Sequence, residues 1–212
     1  MQYDWKGITS SAYLSILEIN LTEFPVPATK IKCKDVKIVS YQKYSEITGV
    51  PIEQLTLTGE LDDAFLLSGL RPDLKIILYN NEKLDSRLKH TIWHEIGHIK
   101  LNHMKHGNRE EIEAHFFASQ ANAPNVLIKE IAKRGYVINV NFLVEHFGLS
   151  KESAGKKVNY LKEYGFEHEN EFDENLLLQF SDYLKIKYPP KTQHYYDNYF
   201  DELEKERETW AQ

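Results

Sequence analysis

The run His94-Glu95-Ile96-Gly97-His98 constrains this chain more than any other part of its sequence. Histidines at positions i and i+4 of a helix lie on the same face, so their ring nitrogens can bind one metal ion. Glu95 projects beside them, where its carboxylate can reach a water molecule on that ion. The spacing therefore predicts a helix that carries the metal site of a zinc hydrolase.

The residues around this run predict a helix that is buried on two sides. At about 100° per residue, Ile92, Ile96 and Ile99 form one apolar stripe, and the two histidines fall roughly opposite it. Gly97 costs the middle of a helix roughly 1 kcal/mol, which is best explained if another element approaches closely there. We therefore expect a core beneath the helix and a cleft above it, rather than a solvated surface helix.

A catalytic zinc site needs a third protein ligand and leaves its fourth position to water. In the next segment, Asn108 is predicted to cap a second helix, with Glu111 as its capping-box partner and Glu113 further inside. We predict Glu113 as the third ligand. His103 and His115 compete with it, although each is better suited to orient a ligand by hydrogen bonding.

Other residues near this run form a recognisable set. They are Arg87, Thr91-Ile92-Trp93, the histidine run itself, Glu113-Ala114, Phe117-Ala118 and Pro124, with weaker upstream matches at Phe24-Pro25-Val26, Val36 to Tyr41 and Lys75 to Asn80. Together they resemble the ImmA/IrrE family of bacterial metallopeptidases over about residues 20 to 165. The resemblance implies zinc, one ion per chain, at His94, His98 and Glu113, with Glu95 as the catalytic base.

Two departures from the family pattern concern the cleft. Trp93 stands where the family usually has a small residue, and His115 replaces its usual Asn. Neither removes a ligand, but both bear on the shape of the cleft and hence on substrate choice.

For the substrate, the resemblance implies a cytoplasmic protease that cleaves a helix-turn-helix repressor encoded beside it, in a phage, an integrative element or a stress regulon.

Two other functional classes compete with a protease. One is a non-proteolytic regulator that binds protein or DNA, and the other is a toxin-antitoxin component. Glu95 favours an enzyme, because a purely structural metal site has no use for a free carboxylate beside an open position. The sequence does not identify the hydrogen-bond donor that stabilises the tetrahedral oxyanion. Its candidates are His103, His115, Tyr41, Tyr79 and Tyr160.

Length and composition bound the kind of protein. A chain of 212 residues can bury one sizeable core and still carry a small appended domain. The single Cys33 excludes an internal disulfide, and no stretch approaches the roughly 18 apolar residues of a membrane span. The start of the sequence has no apolar run suited to export. We therefore expect a cytoplasmic protein without a membrane partner.

The first part of the chain predicts an α+β fold. A helix from Ser10 to Ile19 precedes three β-rich runs, Val36 to Tyr41, Leu55 to Phe65 and Lys75 to Tyr79. We predict that residues 1–134 form a zincin-like metallopeptidase domain with a small sheet and the active-site helix. Lys75 to Tyr79 is the candidate edge strand for binding substrate by strand addition, with an interior strand as an equal alternative.

Residues 135–212 are predicted to form a helical domain. Phe142 to Phe147, the turn Gly148-Leu149-Ser150 and Lys151 to Tyr164 resemble a helix-turn-helix. The segment Asn141 to Asn170 has four Lys and no Arg against five Glu, so docking of a protein is favoured over DNA binding. From Glu171 the tail is acidic but rich in aromatic residues, which predicts packing rather than disorder.

Overall fold

The computed structural model describes residues 3–55, 63–71, 74–105, 107–166 and 169–191, and gives only the backbone of residues 68–71. The described residues up to Ile19 and those from Val26 to Asn122 form one compact unit. Asn20–Pro25 and the described residues from Ala123 onward form a second. This division lies closer to the N-terminus than the predicted domain boundary at residues 134 and 135.

The first unit combines helices with a small sheet, which confirms the predicted α+β class. Its elements are α1 (Trp5–Glu18), β1 (Val36–Ser40), α2 (Tyr41–Thr48), β2 (Ala64–Arg71), β3 (Leu74–Tyr79), α3 (Asp85–Lys100) and α4 (Asn108–Asn122), with short 3-10 turns at Ala28–Lys30 and Ile52–Leu55. Helix α1 begins earlier than the predicted Ser10 because the Asp4 carboxylate accepts a hydrogen bond from the Gly7 N–H and caps it.

The described strands form a three-stranded sheet in the order β1, β3, β2. Strand β3 runs parallel to β1 and antiparallel to β2. The prediction that Lys75 to Tyr79 is an edge strand is therefore wrong. Its consecutive apolar residues Ile76, Ile77 and Leu78 are all buried, as expected for a central strand that is covered on both faces.

The second predicted strand also needs correction. Leu55 lies in a 3-10 turn, and the strand begins at Ala64 and continues to Arg71. Residues 56–62 of the predicted strand lie outside the described part of the chain. Glu53 and Gln54 share the 3-10 turn with Leu55, so this stretch closes locally rather than extending along the sheet.

Helix α3 is buried on two sides, as the sequence predicts. Ile92 and Ile96 are fully buried, and His98 is only 3% exposed. A Cβ atom on Gly97 would lie 3.1 Å from the Phe117 side chain of α4, so the glycine permits close contact between the two helices. This close contact brings the first turn of α4 to the histidines of α3.

The described part of the second unit is helical. Its elements are α5 (Asn125–Lys133), α6 (Val140–Phe147), α7 (Lys151–Tyr164), α8 (Asp173–Gln179) and α9 (Ser181–Lys187). Between α6 and α7, Gly148 adopts a left-handed conformation with φ 64°, and the Ser150 hydroxyl accepts a hydrogen bond from the Ser153 N–H. Two helices and a three-residue turn thus occupy the predicted positions.

Helix α5 explains why the second unit starts before residue 134. It packs against α8, and its Val126, Leu127 and Ile128 are buried. The predicted charged helix from about Tyr199 lies outside the described residues. Across the ranges that the structure describes, no helix is long and apolar enough to cross a membrane.

Candidate metal centre

Helix α3 brings His94 and His98 together at the predicted spacing. Their Nε2 atoms lie 3.0 Å apart, and the two rings meet edge to face. Both side chains are largely buried, at 11% and 3% exposure. The two lone pairs can therefore point at one position that is largely shielded from water.

The carboxylate of Glu111 on α4 lies beside this pair. Its Oε2 lies 3.2 Å from Nε2 of His94, and its Oε1 lies 3.5 Å from Nε2 of His98. Asn108 is already inside α4, and the N–H of Glu111 donates to the carbonyl of Gly107. The predicted capping box therefore does not describe this helix start, and the Glu111 side chain is turned toward the histidines instead.

These three residues fit a metal ion. Bonds of about 2.0 to 2.1 Å in a tetrahedral site place neighbouring ligand atoms about 3.3 Å apart. The two Nε2 atoms lie 3.0 Å apart, and the two oxygens of Glu111 lie 3.2 Å from His94 and 3.5 Å from His98, which are all close to that value. Two imidazole nitrogens and one carboxylate oxygen are a donor set typical of catalytic zinc and leave a coordination position open.

Glu113, the predicted third ligand, lies elsewhere. Its Oε2 is 3.1 Å from Nε2 of His103, and its Oε1 accepts a 2.8 Å hydrogen bond from Nε of Arg109. Residues 111 and 113 project about 200° apart around a helix, so they cannot both face α3. The structure thus places Glu111 against the histidine pair, whereas Glu113 contacts His103 and Arg109.

A signal for Glu111 was present in the sequence. It lies three residues before Ala114 and seven before Ala118, two small residues of α4. Seven residues bring two positions to within about 20° of each other on a helix. Both alanines are fully buried in the structure, so Glu111 sits at the edge of the packed face.

His103 and His115, the predicted competitors, occupy different sides of the centre. Nδ1 of His103 lies 2.9 Å from Nδ1 of His98, on the side away from His94. His115 is exposed, and its ring centroid lies 4.4 Å from that of His94. Ligand atoms of His94, Glu111 and His115 also lie within 4.8 Å of one another, so His115 belongs to the surroundings of the centre.

His90 was not singled out from the sequence. Its Nε2 lies 3.4 Å from Nδ1 of His115, and the two rings stack with an interplanar angle of 14°. It precedes His94 by four residues, as His94 precedes His98. This repeated spacing is the signal from which a third imidazole on the same face of α3 could have been predicted.

The remaining predicted residues differ in burial. Glu95 lies on α3 beside the ligands and is 9% exposed. Tyr41 is fully buried in the sheet core with Ile76 and Leu78, which argues against a role in a cleft. Tyr160 belongs to α7 of the second unit.

The comparison with protein families identifies the family of this chain. The family model described as an IrrE N-terminal-like domain, Peptidase M78, matches residues 46–159, which is more than half of the chain. The chain belongs to this peptidase family. The predicted resemblance to ImmA/IrrE proteins is thereby confirmed, and the matched range includes α3 and α4 in full. No curated protein and no solved structure matches the chain at a significant level.

Proposed function

We propose that this protein is a zinc-dependent endopeptidase in which His94, His98 and Glu111 bind the metal and Glu95 is the catalytic base. The observation that carries the proposal is the carboxylate of Glu111, which lies within 3.5 Å of both imidazole Nε2 atoms. Membership of a peptidase family supports it independently. Glu111 takes the place that the sequence assigned to Glu113.

The chemistry divides between the metal and the protein. When bound, zinc would act as a Lewis acid that activates a water molecule and polarises the peptide carbonyl. Glu95 follows His94 on the same helix, so its carboxylate can accept the proton of the attacking water. It then donates that proton to the leaving amine. Its burial, at 9% exposure, strengthens these interactions by limiting bulk solvent.

For substrate binding we favour β2 rather than β3. In the described residues β2 pairs with β3 on one side and packs against α3, the helix that carries the histidines. A strand at a sheet edge offers backbone N–H and C=O groups to an extended peptide. Strand addition to β2 would therefore bring a peptide beside the metal centre.

The substrate we propose is a helix-turn-helix repressor encoded beside this protein, and the location we propose is the cytoplasm. Both come from the family resemblance. The charges of α7 support a protein partner over DNA: Lys157 is 3% exposed, and Lys156 pairs with Glu152 at 2.7 Å. Fewer of its cations are thus presented to a phosphate backbone than the sequence suggested.

Co-expression with the neighbouring repressor tests the proposal. Glu95→Gln cannot accept a proton, so hydrolysis of the repressor should fall by roughly 10² to 10⁴ while zinc stays bound. Glu110→Gln, in the first turn of α4, is the matched control and should cleave like the wild type. Fragment patterns on gels and zinc content by elemental analysis give the readouts. If the wild type and Glu95→Gln both relieve repression with the repressor intact, the protein acts by binding and the enzyme proposal fails.

A further inference from the structure

A line of polar contacts leaves the metal centre from His98 on the side away from His94. Nδ1 of His98 lies 2.9 Å from Nδ1 of His103, whose Nε2 lies 3.1 Å from Oε2 of Glu113. Oε1 of Glu113 accepts a 2.8 Å hydrogen bond from Nε of Arg109. We call His98, His103, Glu113 and Arg109 the relay.

We propose that Glu113 and His103 are positioning residues, which fix the tautomer and the ring orientation of His98 and so strengthen metal binding. The inference rests on the proposed metal site. It gives Glu113 a role different from the ligand role predicted from the sequence, because Glu113 acts on the metal through two imidazoles.

The first argument concerns which ring nitrogens carry a hydrogen. His98 presents Nε2 to His94 and Glu111, so that nitrogen must be unprotonated to bind a metal, and Nδ1 must carry the hydrogen. The acceptor beside it is Nδ1 of His103, and the hydrogen of His103 is then on Nε2. Nε2 of His103 donates to Glu113, which as an ionised carboxylate can only accept. One arrangement of hydrogens then satisfies the three contacts within the relay, and Glu113 fixes its direction.

Burial supplies the second argument. The side chains of His98, His103 and Glu113 are 3%, 6% and 13% exposed. Water therefore cannot readily replace a lost partner, and a missing contact would leave a buried polar group unsatisfied. Arg109 is 42% exposed and closes the relay at the surface, where its hydrogen bond to Glu113 raises the pKa of the guanidinium.

The end of α3 explains how His103 reaches His98. The N–H of Asn102 donates to the carbonyl of Ile99 at 3.3 Å, and the N–H of His103 donates to that of His98 at 3.0 Å. Asn102 has φ 55°, the left-handed conformation that a helix commonly adopts just past its end. This pair of bonds is a Schellman motif, and it folds His103 back beside the histidine five residues earlier. A helix end set by local sequence thus builds the first contact of the relay.

Zinc affinity measured by chelator competition on the full chain tests the inference. Glu111→Gln removes a ligand and should show the largest loss. Glu113→Gln and His103→Phe should each weaken binding roughly 10- to 100-fold, the usual effect of losing a group that orients a ligand. His103→Phe keeps the ring that packs edge-on against His98. Glu110→Gln is the matched control and should bind like the wild type.

Imidazole ¹⁵N shifts of the zinc-loaded protein add a readout that a merely structural role would not move. We expect His103 protonated at Nε2 in the wild type and a loss of this preference in Glu113→Gln. Wild-type affinity together with an unchanged tautomer in Glu113→Gln would overturn the inference and leave the metal site intact. A loss equal to that of Glu111→Gln would also overturn it, since Glu113 would then be a ligand. If the wild type binds no zinc, the proposed function itself fails.

Discussion

Helices α3 and α4 of the first unit and helices α6 and α7 of the second are both pairs joined by a short connection, but they use buried polar groups differently. In the first pair, His94, His98 and Glu111 converge on one position. In the second, the buried Lys157 of α7 and the capping Ser150 do not form such a group of ligand atoms. Burial alone does not mark a site in this protein. Convergence of ligand atoms does.

The two pairs also differ in how they use a glycine. Gly97 of α3 faces Phe117 so closely that a Cβ atom would lie 3.1 Å from its side chain. Gly155 of α7 has nothing within 4 Å of the corresponding position. Only the first glycine therefore has a packing role, and that role is to let α4 approach the histidines.

Removing histidines should give the largest contrast between the pairs. His94→Ala combined with His98→Ala should abolish stoichiometric metal binding, because only one of the three proposed ligands would remain. His146→Ala on α6 should keep about one equivalent, since His146 bonds to Tyr188 at 2.8 Å in the second unit. Elemental analysis after dialysis measures both. Full occupancy in the double variant would break the distinction between the two regions.

Lys157 should give the next largest effect. Burial lowers the pKa of Lys157 to about 7, so the charged form is disfavoured in the folded state. Replacing it in Lys157→Met should raise the free energy of unfolding by on the order of a few kcal/mol below pH 7, given about 1.4 kcal/mol for each pH unit of pKa change.

The pH dependence of that gain has a fixed sign. Between pH 7 and about 10.5 the unfolded chain holds the Lys157 proton and the folded protein does not, so the wild type becomes more stable as pH rises. The advantage of Lys157→Met should shrink over this window. Urea unfolding at several pH values measures it, and a gain that stays constant with pH would contradict the assignment.

The glycines should give the smallest effects. Gly97→Val should lower the free energy of unfolding by about 1 to 3 kcal/mol, because Phe117 is fully buried and cannot move aside. Gly155→Val meets open space and should change stability by less than about 0.5 kcal/mol. Thermal unfolding of the two variants tests the pair. Equal losses would show that the close helix contact is not special to α3 and α4.

Local periodicity let the sequence determine one helix and its histidines. Residues i and i+4 share a helix face whatever surrounds them, so the His94 and His98 pair follows from spacing alone. The stripe of Ile92 and Ile96 likewise indicated a buried helix, and both residues are fully buried. The helix, turn and helix from Val140 to Tyr164 were also predictable from local sequence, because a glycine commonly ends a helix and a serine commonly caps the next one. Gly148 and Ser150 do this here.

The sequence held a signal for Glu111 in the positions of Ala114 and Ala118, but tertiary structure decided which carboxylate meets the histidines and which strand is central. Periodicity says that Glu111 and Glu113 point in different directions, but the side of α4 that faces α3 depends on how Phe117 packs against Gly97. Similarly, the apolar run Ile76 to Leu78 shows that a strand is buried but not which strands flank it. Both questions concern neighbours that are distant in sequence, and a pattern along the chain carries no record of the direction from which they approach.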